Sequence, residues 1–174
     1  MVLNISPLLI LVLTTTFLAM ARTHEFKETY MSLYFQDFTA GPNLTTLPLA
    51  GIACKLWTFD QFGTVYVNDD PITEGPCPES ALVGRAQAFV VTSALNGRNA
   101  LVFLSIVFTN KKYNGSTIEI QGNSKQFEPV REVAVVSGTG EFRFARGYAT
   151  LETYFVDQPR GYSVIRCNIT VQHH

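Results

Sequence analysis

The feature that most constrains this chain is its alternation of short β-branched and aromatic runs with turn residues. Strand-like runs cover residues 29–38, 62–67, 82–92, 100–109, 117–121, 131–136, 142–155 and 162–171, and residues 47–59 leave room for another. Between them stand Gly41-Pro42-Asn43, Asp69-Asp70-Pro71, Gly75-Pro76, Asn96-Gly97, Asn114-Gly115, Gly122-Asn123 and Asp157-Gln158-Pro159. Such residues supply a positive φ, a fixed φ or a side-chain bond to the backbone. No segment sustains a helical apolar period. About eight short strands with frequent turns predict an all-β chain, an antiparallel barrel or sandwich.

Residues 1–21 contain no Lys, Arg, Asp or Glu, and residues 7–20 are dominated by Leu, Ile, Val, Thr and Phe. Ala19-Met20-Ala21 before Arg22 is a small-x-small cleavage pattern. This reads as a secretory signal peptide over 1–21, with one domain over 22–174. The apolar run is shorter than the roughly 20 residues a span needs, and Thr14, Thr15 and Thr16 interrupt it. No later stretch is long enough to cross a membrane. A net charge of −1 suggests neither a basic surface for nucleic acid nor an acidic tail.

Cys54, Cys77 and Cys167 make an odd count, compatible with one disulfide and a free thiol or with three buried thiols. Their spacing matches no CxxC pattern, and His24, His173 and His174 lie near the chain ends, so no metal site is expected. The sequons at Asn43, Asn114 and Asn168 are expected to carry glycans in a secreted protein.

Period-two facing locates candidate interior residues. Met31, Leu33, Phe35 and Asp37 share a face, so Asp37 stands on an apolar side near a strand end. Inside a barrel, desolvation would raise its pKa and let it act as a general acid. At the rim it would cap the turn at Gly41-Pro42, and facing alone favours that rim reading. Ile165, Cys167, Ile169 and Val171 share one side of the last run, which turns Arg166 and Asn168 outward. Residues 100–109 are almost wholly apolar, so both faces of that strand are expected to be covered, either by a loop or by a neighbouring subunit.

Residues 131–150 combine charges with aromatics. Phe142, Phe144, Arg146 and Tyr148 share a face, and an inward guanidinium needs a carboxylate or an anionic ligand. Glu141 follows the Gly138-Thr139-Gly140 turn, which can redirect it. Arg85 and Gln87 read as a solvated or subunit-facing stripe. Asp69-Asp70-Pro71-Ile72-Thr73 reads as a turn held by local hydrogen bonds. No Gly-x-Ser-x-Gly elbow, mid-chain histidine or phosphate-binding loop supports nucleophilic catalysis or nucleotide hydrolysis.

Taken in order, several segments resemble the plant dirigent protein family. They are Tyr34-Phe-Gln-Asp-Phe38 with Gly41 and Asn43, Phe62-Gly-Thr-Val65, Asp69-Asp-Pro-Ile-Thr73, Val83-Gly-Arg-Ala-Gln87 and Tyr113-Asn-Gly-Ser-Thr117. Arg131-Glu-Val-Ala-Val-Val-Ser-Gly-Thr-Gly140 and Phe142-Arg-Phe-Ala-Arg-Gly-Tyr-Ala149 complete the set. The resemblance implies an eight-stranded antiparallel β-barrel of the dirigent or allene-oxide-cyclase-like kind, assembled as a dimer or trimer and secreted to the plant apoplast. It implies no cofactor. Its partners would be phenolic molecules or their radicals, and an external oxidase or laccase.

Members typically direct the stereochemistry of phenoxy radical coupling of monolignols, such as coniferyl alcohol, to lignan-type products. Some relatives instead close a ring through a quinone methide, as in pterocarpan synthesis. A phenolic-binding barrel without catalysis is a third possibility. The resemblance implies pocket roles for Asp37, Glu141 and Arg146 as the catalytic group, and for Phe35, Val90, Thr92 and Phe144 as substrate contacts. Gln36 stands where the family has histidine. Val90 and Thr92 stand where its lignan-forming branch has tyrosines, which weakens the lignan assignment.

Overall fold

The computed structural model describes residues 26–174, so the expected leader lies outside the described residues. Among the described residues nine strands form: β1 (Lys27–Phe38), β2 (Thr46–Ala50), β3 (Val65–Thr73), β4 (Leu82–Thr92), β5 (Asn99–Phe108), β6 (Thr117–Lys125), β7 (Val130–Thr139), β8 (Arg146–Asp157) and β9 (Tyr162–His173). All pair antiparallel in the order β1-β9-β8-β7-β6-β5-β4-β3-β2. A further pairing of β1 with β3, Tyr34 opposite Thr73 and Phe35 opposite Ile72, closes the sheet. Eight strands therefore make a closed barrel, and short β2 hangs outside it on β3. Closure removes the free edges that an open sheet would expose.

The hairpin nature of each connection is written in its turn residues. Gly97, at φ +71, lets the β4–β5 turn press its backbone against the carbonyl of Asp60, where any Cβ would collide. Between β7 and β8 a 3-10 turn over Gly140–Phe142 starts at Gly140, φ +60, with the Glu141 amide donating to Ser116 Oγ at 3.1 Å. This turn interrupts the alternation expected through residues 142–155. Phe142 drops into the core, whereas Arg146, Tyr148 and Glu152 fall on the outer face of β8.

The segment expected as a turn at residues 69–73 is instead the second half of β3. Asp69 N donates to Thr45 O, on the side away from β4. Pro71, two residues on, faces that same side, where β3 passes from β2 to β1. Its missing N–H therefore breaks no bond to β4, which is how proline is tolerated in a strand.

Side-chain size divides the barrel interior. Toward the end holding the β3–β4, β5–β6 and β7–β8 connections, Ile106, Phe108, Ile118, Val135, Phe142, Ile169 and Val171 pack into a solid core. Toward the other end the inward positions carry Ala86, Ala88, Ala100, Ser124 and Ser163, and these small side chains leave space. On the outer face, β5 presents Leu101 at 40 % and Phe103 at 41 % exposure, beside Phe89 of β4 at 43 %. The expected cover on both faces of residues 100–109 is thus present on the inner face alone in the single chain.

Candidate functional site

The open end of the barrel holds a cavity of about 700 Å³. This falls within the size range of small-molecule sites. Its walls are mostly apolar: Phe35, Ala86, Ala88, Val90, Val102, Leu104, Leu151 and Ile165, with Phe59 and Phe127 at the mouth. A few polar side chains converge among them: Asp37, Asn68, Asp70, Arg131, Thr153 and Ser163.

Asp37 arrives by the alternation of β1, two residues beyond Phe35. Ser163 Oγ donates to its Oδ2 at 3.0 Å, while Oδ1 is buried with no partner. Burial raises its pKa, and the nearby Thr46 and Ser163 hydroxyls partly offset the rise. Asp70 arrives by the alternation of β3 and is 5 % exposed. Thr45 Oγ1 donates to its Oδ1 at 2.5 Å and Thr46 Oγ1 at 3.4 Å. Burial first, and then the Asp37 charge, push Asp70 up to about 7.

Arg131 points into the same cavity from the start of β7. Its Nη1 donates to Thr153 Oγ1 at 3.1 Å and to Gln126 O at 3.3 Å, and its Nε is buried without a partner. Desolvation lowers its pKa, with the Glu152 carboxylate opposing that shift. Asp37 Oδ1, Asn68 Oδ1 and Arg131 Nε are thus three unsatisfied buried polar atoms around one cavity. Buried polar atoms are rarely left unpaired, so this concentration marks a place built for a polar ligand.

The structure brings together Asp37, Phe35 and Val90, and it does not bring Glu141, Arg146 or Phe144 to them. Those three lie at the closed end of the barrel. Glu141 is exposed and pairs with Lys27 at 3.2 Å. Arg146 donates to the carbonyls of Val136 and Ala145 on the outer surface. Phe144 is 66 % exposed, with φ +61, and packs edge-on against His174. The turn at residue 140 is the physical cause, since it resets the strand phase. Thr92 faces inward but sits behind Phe59, whose carbonyl its hydroxyl meets at 2.8 Å, and it does not line the cavity.

Asn43 and Asn114 are exposed. Asn168 lies on the outer face of β9, its Oδ1 accepting from Ser32 Oγ at 2.8 Å. Cys54 and Cys77 are exposed free thiols and Cys167 is buried, so no disulfide joins them.

Sequence reasoning missed Asp70 and Arg131. Tyr66, Asn68, Asp70 and Ile72 share a face, which was the available signal for Asp70, but Asp-Asp-Pro imitates a turn. Arg131 shares a face with Val133 and Val135, both buried.

A family model described as dirigent-like protein matches residues 28–172. Pterocarpan synthase 1 of Glycine max is 37 % identical over 177 residues, covering 99 % of this chain and 95 % of that protein. Dirigent protein 1 of Arabidopsis thaliana is 40 % identical over 128 residues, covering 74 % of this chain and 70 % of that protein. A solved pterocarpan synthase dirigent protein superposes with a TM-score of 0.78 at 37 % identity, over 88 % of each chain. Ordered motifs, a closed eight-stranded barrel and these likenesses agree: the chain belongs to the dirigent-like protein family.

Proposed function

We propose that this chain closes a ring on a phenolic quinone methide without an oxidant, as a cyclase of the pterocarpan-synthase type. The observation that carries the reading is the pair of acids, half-buried Asp37 and buried Asp70, in a mostly apolar cavity. Below about pH 7 Asp70 holds its proton and is a donor. In a hydroxylated isoflavanol it protonates the leaving hydroxyl, the C–O bond breaks, and the phenol gives its proton to the neighbouring carboxylate. Water and a quinone methide result.

A proton then passes back to the quinone-methide oxygen as a second hydroxyl attacks the exocyclic carbon. That hydroxyl's proton returns to a carboxylate, so the acids end as they began. The Arg131 guanidinium can hold the phenolic oxygen as charge develops on it. The barrel wall admits attack from one face. A difference of about 1.4 kcal/mol between faces already gives tenfold selectivity.

A second reading, stereodirected coupling of phenoxy radicals made by a separate oxidase or laccase, is favoured by the broad apolar wall. Such a wall can hold flat rings without supplying a proton. In either reading we place the chain in the plant apoplast, secreted and glycosylated. The uncovered Phe89, Leu101 and Phe103 support assembly with further copies of the chain.

The test is chiral chromatography after incubation with hydroxylated isoflavanols, and separately with coniferyl alcohol plus a one-electron oxidant. Ring closure without oxidant, reduced at least a hundredfold in Asp70→Asn or Asp37→Asn, supports the cyclase. A single enantiomer in the oxidant arm alone supports the second reading. Racemic products throughout would leave a non-catalytic phenolic-binding barrel.

A further inference from the structure

Residues 51–64, the β2–β3 connection, run across the open end of the barrel and are unusually well fastened for a surface loop. The Phe59 carbonyl accepts from Thr92 Oγ1 at 2.8 Å and from Gln126 Nε2 at 3.0 Å. Gln126 Nε2 also reaches the Gly97 carbonyl at 3.2 Å. One carbonyl therefore ties together the loop, the end of β4 and the β6–β7 hairpin. The Gly63 amide donates to Thr92 O, and the Thr92 amide to Thr64 O, both at 2.9 Å.

The Phe59 ring is fixed as well. It stacks on Tyr66 with centroids 4.1 Å apart and planes 8° from parallel. The Tyr66 hydroxyl donates to Trp57 O at 2.7 Å. Burial pushes this phenol up to about 12, so it keeps its proton and remains a donor. A ring this constrained, at the mouth of a cavity, is a rigid wall rather than a mobile lid.

We propose that Phe59 is a specificity-determining residue and that Thr92, which does not line the cavity, is a positioning residue that acts through it. Gln126 both lines the cavity and holds the Phe59 carbonyl. A flat phenolic entering the cavity must lie against Phe59, so that ring sets which molecular face meets Asp37 and Asp70. The inference rests on the phenolic chemistry above and adds residues outside the acid cluster to it. Thr92, expected from the sequence as a direct pocket contact, acts one step removed, through the Phe59 carbonyl.

The experiment uses the full chain and two readouts. Trp57, the one tryptophan in the sequence, sits on the same loop, so its emission reports ligand at the mouth. The probe is a 2′-hydroxyisoflavone, which lacks the leaving hydroxyl and is therefore expected to bind without being converted. Thr92→Val, which keeps shape and removes the donor, is expected to weaken binding about tenfold, as is Gln126→Leu. Thr92→Ser restores most of the affinity. All three are checked for an intact thermal unfolding transition. Phe59→Ala is expected to lower the enantiomer ratio of the product at least fivefold while ring closure continues.

Unchanged binding in Thr92→Val, no probe binding by the wild type, or an unchanged ratio in Phe59→Ala would each overturn the inference. Failure of the cyclase reading looks different: the wild type binds the probe and closes no ring. The binding of Thr92→Val against Thr92→Ser then decides the inference alone.

Discussion

Asp70 carries a measurable pH signature. Its carboxyl sits near 3.8 in the unfolded chain and at about 7 when folded, so the folded state binds more protons across that window. The stability it contributes is complete below about pH 4 and is lost as pH rises through 7, with a slope of at most about 1.4 kcal/mol per unit. Urea unfolding of wild type and Asp70→Asn between pH 4 and 8 should show the decline in the first and a flatter profile in the second. Arg131 answers to geometry more than to titration. Arg131→Leu removes the cavity's cation without emptying the space, and is expected to lower kcat/KM roughly tenfold or more while the unfolding midpoint moves little. Arg131→Lys should recover only part of this, because an ammonium cannot reproduce the planar fork that meets Thr153 and Gln126.

Among the elements, the β7–β8 turn and the start of β8 separate two readings of one motif. The segment from Gly138 to Tyr148 first suggests a pocket, yet the structure uses it to close the far end of the barrel. Glu141→Gln and Arg146→Gln are therefore expected to leave turnover within about twofold, because Glu141 makes an exposed ion pair worth under about 1 kcal/mol and Arg146 bonds backbone carbonyls at the end away from the cavity. A hundredfold loss in either, with the fold intact, would return these residues to the chemistry. The β4–β5 turn is less forgiving. Gly97→Val places a branched Cβ into the Asp60 carbonyl at a left-handed φ and should cost on the order of 2–4 kcal/mol, read from chemical denaturation.

For the molecule as a whole, the two barrel ends divide the labour. Large aliphatic and aromatic side chains fill one end, and a run of alanines and serines hollows the other, so the solid core and the cavity sit on different residues. Ile106→Ala, in the solid half, should lose about 2–5 kcal/mol of stability without changing the cavity mouth. The outer stripe of Phe89, Leu101 and Phe103 belongs to neither end. On the proposed assembly through this stripe, Phe103→Glu is expected to leave monomers in sedimentation velocity where the wild type sediments as a larger species, with the β-sheet signal unchanged.

Local pattern alone determined much of this protein. Turn residues at short intervals and period-two runs are properties of a few adjacent residues, so the all-β class and most strands could be read directly. The alternation put Asp37 on the apolar side of its strand, and only the family resemblance turned it from the rim into the pocket. Phe35 followed from the same alternation, and Val90 from the family resemblance alone. The tertiary structure alone decided which charged residues share the cavity. Asp70 and Arg131 are 61 positions apart, and their convergence depends on sheet closure between β1 and β3. Local reading also failed wherever backbone geometry reset the phase: the turn at Gly140 sent Arg146 outward, and Pro71 hid a strand behind the look of a turn. A side chain's direction survives in the sequence only while the strand runs unbroken, and what it points at is supplied by strands far away in the chain.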